Sequence, residues 1–382
     1  MSCASQTAVS YNDAAGQGRE RSMGASRLET FLFRSTLRVS TLLALALLLS
    51  GCAKELLMCP RVVKVPAPEL PEVHPAPVLF GTDRLPESRE KLTFSSALNP
   101  SGDHMSYGVK CEDPARAKAA CDVESLALDR SQFLDRIANA KGDIVLYVHG
   151  FNYTFDESLE VALSIVERAR FPATPVAYSW PSQGRVGGYG VDYDMSEWTV
   201  DHLAAFIRDI TPAVPAGHQL HFVSHSMGNR ALLLALSRLD LADPRFGQLI
   251  LIAPDVDAQI FAELMAHSGP FRRKTMYVSQ NDWALHAVSI LHSGAIRAGD
   301  ARKQYTVLSG VDTVDLSPLK AGVTGHSIYD YSQLVFEDLG AVLKDEAITG
   351  RHLTACTVKS VAAANRVNGT SLPCVVFRMP SK

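Results

Sequence analysis

The stretch Leu220-His221-Phe222-Val223-Ser224-His225-Ser226-Met227-Gly228-Asn229-Arg230 decides the fold. Leu220 to Ser224 reads as a short buried strand, and the apolar run from Asn229 to Leu239 reads as a helix. A turn of small residues joins them. Ser226 would then stand at a helix N-terminus, where the positive end of the helix dipole favours developing negative charge. The same run also fits a plain serine cap after a buried strand.

Outward from this point the pattern repeats. Asp143 to Val148, Pro175 to Trp180, Gln248 to Ala253 and Thr275 to Ser279 are short runs of strand formers. Helical periodicity runs over Glu157 to Arg170, Glu197 to Ile210, Asp257 to His267 and Asp330 to Leu343. Val78 to Gly81 and Met105 to Val109 fit early strands. Short apolar strands alternating with helices predict an α/β fold: a mostly parallel, doubly wound sheet with helices on both faces. Gly184, Gly187, Gly188 and Gly190 lie outside any strand-to-helix context, so the stretch reads as a flexible loop near the sheet's mouth. With Trp180, Tyr189 and Tyr193 that loop could shape a substrate pocket.

The run around Ser226 resembles the nucleophile elbow of alpha/beta hydrolases. Such an elbow needs small residues two positions either side of the nucleophile. Gly228 meets this need, and Ser224 stands where the motif has glycine. Val148-His149-Gly150-Phe151-Asn152 resembles the His-Gly loop that precedes an oxyanion-hole donor. The resemblance implies Phe151 and Met227 as backbone donors, and a loop-bonding role for His149. It also implies an acid and then a histidine after the serine in chain order. Asp282, after the strand Thr275 to Ser279, fits the acid, and Asp255 is the alternative. His326, in Gly325-His326-Ser327 before the final helix, fits the base; His286, His292 and His352 fit it less well. Gly81-Thr82-Asp83-Arg84, Ser106-Tyr107-Gly108 and Tyr178-Ser179-Trp180-Pro181-Ser182 resemble one branch of this superfamily, uncharacterised bacterial serine hydrolases. That likeness implies cleavage of an ester or similar acyl bond in a small-molecule substrate, carboxylesterase- or lipase-like, with no cofactor. The alternative is a non-catalytic envelope lipoprotein that uses the fold for binding.

The N-terminal region carries a different message. Arg27, Arg34 and Arg38 precede the apolar stretch Thr41 to Leu49 and then Leu49-Ser50-Gly51-Cys52. A basic flank, a short apolar core and small residues are the parts of a secretory signal. The last four residues resemble a lipoprotein lipobox, which implies cleavage before Cys52 and a palmitate-type lipid on it. Met23 is an alternative start that leaves a signal of ordinary length. Pro60, Pro66, Pro68, Pro71, Pro75 and Pro77 make residues 52–77 an extended tether. The expected organisation is signal and extension over 1–51, tether over 52–77, hydrolase domain over 78–348 and a C-terminal appendage over 349–382. Ala53 in place of Asp is compatible with the outer membrane, facing the periplasm.

The chain holds 7 cysteines. In an oxidising compartment Cys111–Cys121 and Cys356–Cys374 are plausible local disulfides, leaving Cys59 without an obvious partner. The histidines lack ligand spacing, so no metal site is expected. The net charge of −3, with no dense Lys/Arg cluster, argues against nucleic acid as a partner.

Overall fold

Tyr178, Val148 and Ser224 stand side by side at the carboxyl ends of neighbouring parallel strands. The computed structural model describes residues 57–58, 77–100, 105–111, 125–239, 243–319, 324–327, 332–358, 366–367, 370–371 and 375–380. Cys3, Cys52, Cys59, Cys121 and Cys374 lie outside them, as do the signal and nearly all of the tether.

In chain order the strands are β1 (Leu57–Met58), β2 (Pro77–Thr82), β3 (Arg84–Ser88), β4 (Thr93–Leu98), β5 (Ser106–Cys111), β6 (Leu126–Leu128), β7 (Asp143–Val148) and β8 (Ala173–Ser179). They continue with β9 (Leu220–His225), β10 (Phe246–Ile252), β11 (Arg273–Val278), β12 (Asp312–Asp315), β13 (Thr354–Val358), β14 (Arg366–Val367), β15 (Thr370–Ser371) and β16 (Val375–Arg378). The helices are α1 (Arg130–Ala138), α2 (Phe155–Arg168), α3 (Tyr189–Trp198), α4 (Val200–Ile210), α5 (Gly228–Leu236), α6 (Ala258–Ala266), α7 (Trp283–Leu291) and α8 (Gln333–Leu343).

The main sheet runs β1-β13-β16-β12-β11-β10-β9-β7-β8-β2-β5-β6. From β16 to β2 every neighbouring pair is parallel. Antiparallel strands close both edges. Successive side chains of β7 feed opposite layers, as the two-residue period requires. Ile144, Leu146 and Val148 join Leu203, Phe206 and Ile207 of α4 and Leu232 of α5 on one face. Val145 and Tyr147 join Leu159 and Val166 of α2 and Val335 and Leu339 of α8 on the other. Burying each such aliphatic side chain contributes about 1.5–3 kcal/mol. Both faces are buried, which is why the central strands are continuous apolar runs rather than alternating ones.

Three segments differ from expectation. The glycine-rich stretch is a single 3₁₀ turn, Val186–Gly188, running into α3, not an open loop. The helix expected over 197–210 therefore starts at Val200, after the Tyr189–Trp198 helix. The stretch expected as an appendage places β13 and β16 in the main sheet, β16 parallel to β12.

Candidate active site

Ser226 sits between β9 and α5 with φ at 54°, a left-handed conformation that costs a non-glycine residue about 1–3 kcal/mol. Hydrogen bonds hold it there. Its N–H donates to Ile252 O at 2.9 Å, and its carbonyl accepts from Asp255 N and Asn229 N, both at 3.1 Å. The Asn229 amide donates to Ser226 O at 2.9 Å and Ile252 O at 3.0 Å, and Ser224 Oγ donates to Asn229 Oδ1 at 2.7 Å. Ser224 thus replaces the motif's glycine with a hydroxyl that orients the stapling Asn229. A Cβ on Gly228 would overlap the Val148 and His149 carbonyl oxygens, so the elbow can lie this close to the neighbouring loop only with glycine there.

Asp282 follows β11 and caps α7, its Oδ1 accepting from Leu285 N at 2.8 Å. Its Oδ2 lies 2.7 Å from His326 Nδ1, and His326 Nε2 lies 2.8 Å from Ser226 Oγ. With Nδ1–H assigned toward the carboxylate, Nε2 is left to accept the serine proton. Asp282 is fully buried, Ser226 is 3% exposed, and the imidazole edge of His326 reaches solvent. The loop of His326 is tied on two sides: Trp283 N donates to Thr324 O at 2.9 Å, and His225 Nε2 donates to His326 O at 2.9 Å.

Asp255 is engaged elsewhere. Its Oδ1 accepts from the buried Arg297 Nε at 2.6 Å and its Oδ2 from Tyr189 Oη at 2.9 Å. Of the other downstream histidines, His286 lies 3.9 Å from Asp300, His292 lies 3.4 Å from Tyr189 Oη, and His352 is exposed. The structure therefore brings Ser226, His326 and Asp282 together and leaves Asp255 beside them in a separate ion pair.

The loop carrying Phe151 abuts the elbow: a Cβ on Gly150 would lie 2.8 Å from Ser226 Cβ. Among the described residues neither the Phe151 nor the Met227 main-chain N–H donates to a protein acceptor. His149 is buried with its ring nitrogens 2.8 Å from Gly150 O and 3.0 Å from Trp180 O. Burial, then the charge of Arg84, drives its pKa down to about 3, so it stays neutral. Trp180 is also buried, stacked on His149 and donating to its carbonyl at 2.7 Å, so it braces the loop.

Two residues that hold this loop have no role in the sequence reading. Asp192, buried on α3, accepts from Asn152 N at 3.2 Å, Gln183 N at 2.7 Å and Ser182 Oγ at 2.5 Å, and Ser182 Oγ in turn accepts from Tyr153 N at 3.1 Å. Arg84 donates to Tyr153 O, Ser182 O and Ser179 Oγ at 2.8–3.0 Å, and its burial lowers its pKa to about 10. Arg84 stands in a run already singled out, whereas nothing local marks Asp192. Among the described residues no group of three or more His, Cys, Asp or Glu is placed to hold a metal ion.

A parallel sheet whose carboxyl edge carries a serine elbow facing a His-Gly loop defines an alpha/beta hydrolase. Residues 127–342 match the family described as alpha/beta hydrolase of unknown function (DUF900), and the chain belongs to it. No curated protein matches. Among solved structures the chain is similar to an uncharacterised protein from Capnocytophaga ochracea DSM 7271, at 12% identity over 53% of this chain and 56% of that one, with a TM-score of 0.30. It is also similar to phospholipase PlaB from Legionella pneumophila, at 11% identity over 63% of this chain and 50% of that one, with a TM-score of 0.25. The chain thus spans about half the length of each of these proteins.

Proposed function

We propose that this protein is a serine hydrolase, carboxylesterase- or lipase-like, that cleaves an ester or similar acyl bond through an acyl-enzyme on Ser226. The observation that carries this reading is the unbroken chain of contacts, 2.8 Å from Ser226 to His326 and 2.7 Å from His326 to Asp282. Ser226 Oγ attacks the acyl carbonyl as His326 Nε2 takes its proton. Asp282 holds Nδ1–H and stabilises the imidazolium. The Phe151 and Met227 N–H groups donate to the tetrahedral oxyanion, each contributing about 3 kcal/mol. His326 then protonates the leaving oxygen, the C–O bond breaks, and water releases the acyl group by the same proton path.

The test is a panel of p-nitrophenyl esters with fluorophosphonate labelling. Wild type should turn over and label, and Ser226→Ala should do neither while keeping its fold. Labelling that survives in Ser226→Ala removes the serine from its role. No turnover or labelling in wild type favours the binding-lipoprotein alternative.

For location, the reading is an envelope lipoprotein anchored through Cys52 on its proline-rich tether, with Cys111–Cys121 and Cys356–Cys374 oxidised. Cys52→Ser should block processing or release the protein from the membrane fraction. Peptide mapping without reduction should yield both crosslinked pairs, and free thiols at Cys356 and Cys374 would count against the oxidising compartment.

A further inference from the structure

Apolar side chains project into solvent on both sides of the Ser226 opening. Val186 (78% exposed) and Val191 (44%) lie on the α3 side, and Trp283 (43%), Ile290 (63%) and Leu291 (70%) lie on α7. The two sides adjoin each other and the site. His292, just past α7, has its ring centroid 5.5 Å from that of Tyr193 on α3. Phe151 of the proposed oxyanion loop packs edge-on against Tyr189 at 5.4 Å, and Asp282 itself caps α7.

Their charge differs between the two sides. Residues 283–299 on the α7 side contain no Asp or Glu, whereas α3 continues past Val191 with the exposed Asp194 and Glu197. Arg185 is exposed before α3, and Arg302, whose main-chain N–H donates to the buried Asp300 at 2.9 Å, lies over the Trp283 ring at 3.9 Å with Lys303 exposed beside it. Protruding apolar side chains with exposed cations beside Trp283 suit insertion into a surface of acyl chains under anionic headgroups. A soluble small ester would require no such rim.

We propose that this face docks on an anionic lipid surface and that the substrate of Ser226 is an ester presented there. The substrate half rests on the serine-hydrolase reading; the docking half does not. The test uses the full chain with phosphatidylcholine vesicles, with and without phosphatidylglycerol, whose acyl chains are brominated to quench tryptophan at short range. Wild-type fluorescence should be quenched, more so with phosphatidylglycerol, and Trp283→Phe should remove the quenched component. The double variant Ile290→Ser, Leu291→Ser should lose that quenching. It should hydrolyse a long-chain ester in vesicles at least about ten-fold more slowly, from the lost apolar insertion, while p-nitrophenyl acetate turnover stays unchanged. Unquenched wild type, or a double variant with full vesicle activity, overturns the proposal. So does a wild-type dimer that the double variant converts to monomer without altering lipid quenching, since the face would then be a protein interface. Quenching without turnover of either ester would sink the hydrolase reading and leave the docking face standing.

Discussion

His225 hydrogen-bonds the main-chain carbonyl of His326 at 2.9 Å, so the residue before the proposed nucleophile holds the loop of its proposed base. The two rings lie 4.8 Å apart. Burial, then the charge of His326, pushes the His225 pKa down to about 3, so no second cation competes beside the imidazolium. His225→Gln keeps a donor near the Nε2 position and should retain kcat within a few-fold. His225→Leu should lower kcat by about ten-fold or more, the cost of one buried hydrogen bond, with KM unchanged. Equal loss in both variants, or loss only through a lowered Tm, would reduce His225 to a packing residue.

The two acids beside the elbow should separate cleanly. Asp282→Asn should lower kcat by about 10⁴, as expected when the imidazole loses its orienting carboxylate. Asp255→Asn should chiefly destabilise, because it leaves Arg297 buried and unpaired, at a cost of about 3–5 kcal/mol. Urea denaturation and labelling rates on the same samples distinguish the outcomes. Normal turnover in Asp282→Asn with a crippled Asp255→Asn would reverse the roles.

Asp192 touches neither Ser226 nor His326 in the structure, yet it fixes the loop that presents Phe151. Asp192→Ala should slow acylation by about 10–100-fold, because the oxyanion donor loses its support. Binding of a ground-state ester should change much less. The check is the fluorophosphonate labelling rate against KM. An unchanged labelling rate in a folded variant would show that the loop stands without it.

Acid should destabilise the fold through its buried histidines. His149 and His225 titrate near 3 when folded, against an ordinary value of 6.5. Between those values the unfolded chain binds protons that the folded state refuses, so unfolding free energy falls as pH falls. The contribution is fully present above about pH 6.5 and is lost toward about pH 3, at up to about 1.4 kcal/mol per pH unit for each histidine. Glu167, whose burial raises its pKa to about 7, acts in the opposite direction between 4.5 and 7. Urea midpoints in wild type and His225→Gln should diverge between neutral pH and pH 4, the variant falling less steeply. Parallel curves would place the acid sensitivity elsewhere.

The parallel sheet was legible because β7, β9 and β10 are buried on both faces and so read as continuous apolar runs. Ser226, Asp282 and His326 were legible through chain order and the ends of strands. Their contact distances were not, since Asp255 fits the same order and only Arg297 and Tyr189 divert it. Helix α3 was missed because its N-terminal turn is glycine-rich, and glycine signals a loop unless tertiary contacts override it. Here Asp192 supplies that contact, reaching the loop of Phe151 from forty positions along the chain. The joining of β13 and β16 to the sheet was equally hidden, because edge pairing depends on partners remote in sequence.

Gly228 is wedged against the Val148 and His149 carbonyl oxygens, whereas Ile290 and Leu291 at the far end of α7 are largely exposed. The two regions should therefore drift at different rates among relatives. The elbow and the His149 loop form one mechanical joint, in which a single insertion would separate Ser226 from the proposed oxyanion donors. The exposed far end of α7 can change its side chains while the joint stays shut. Under the proposed serine-hydrolase reading, substrate preference can then diversify while the chemistry at Ser226 stays the same.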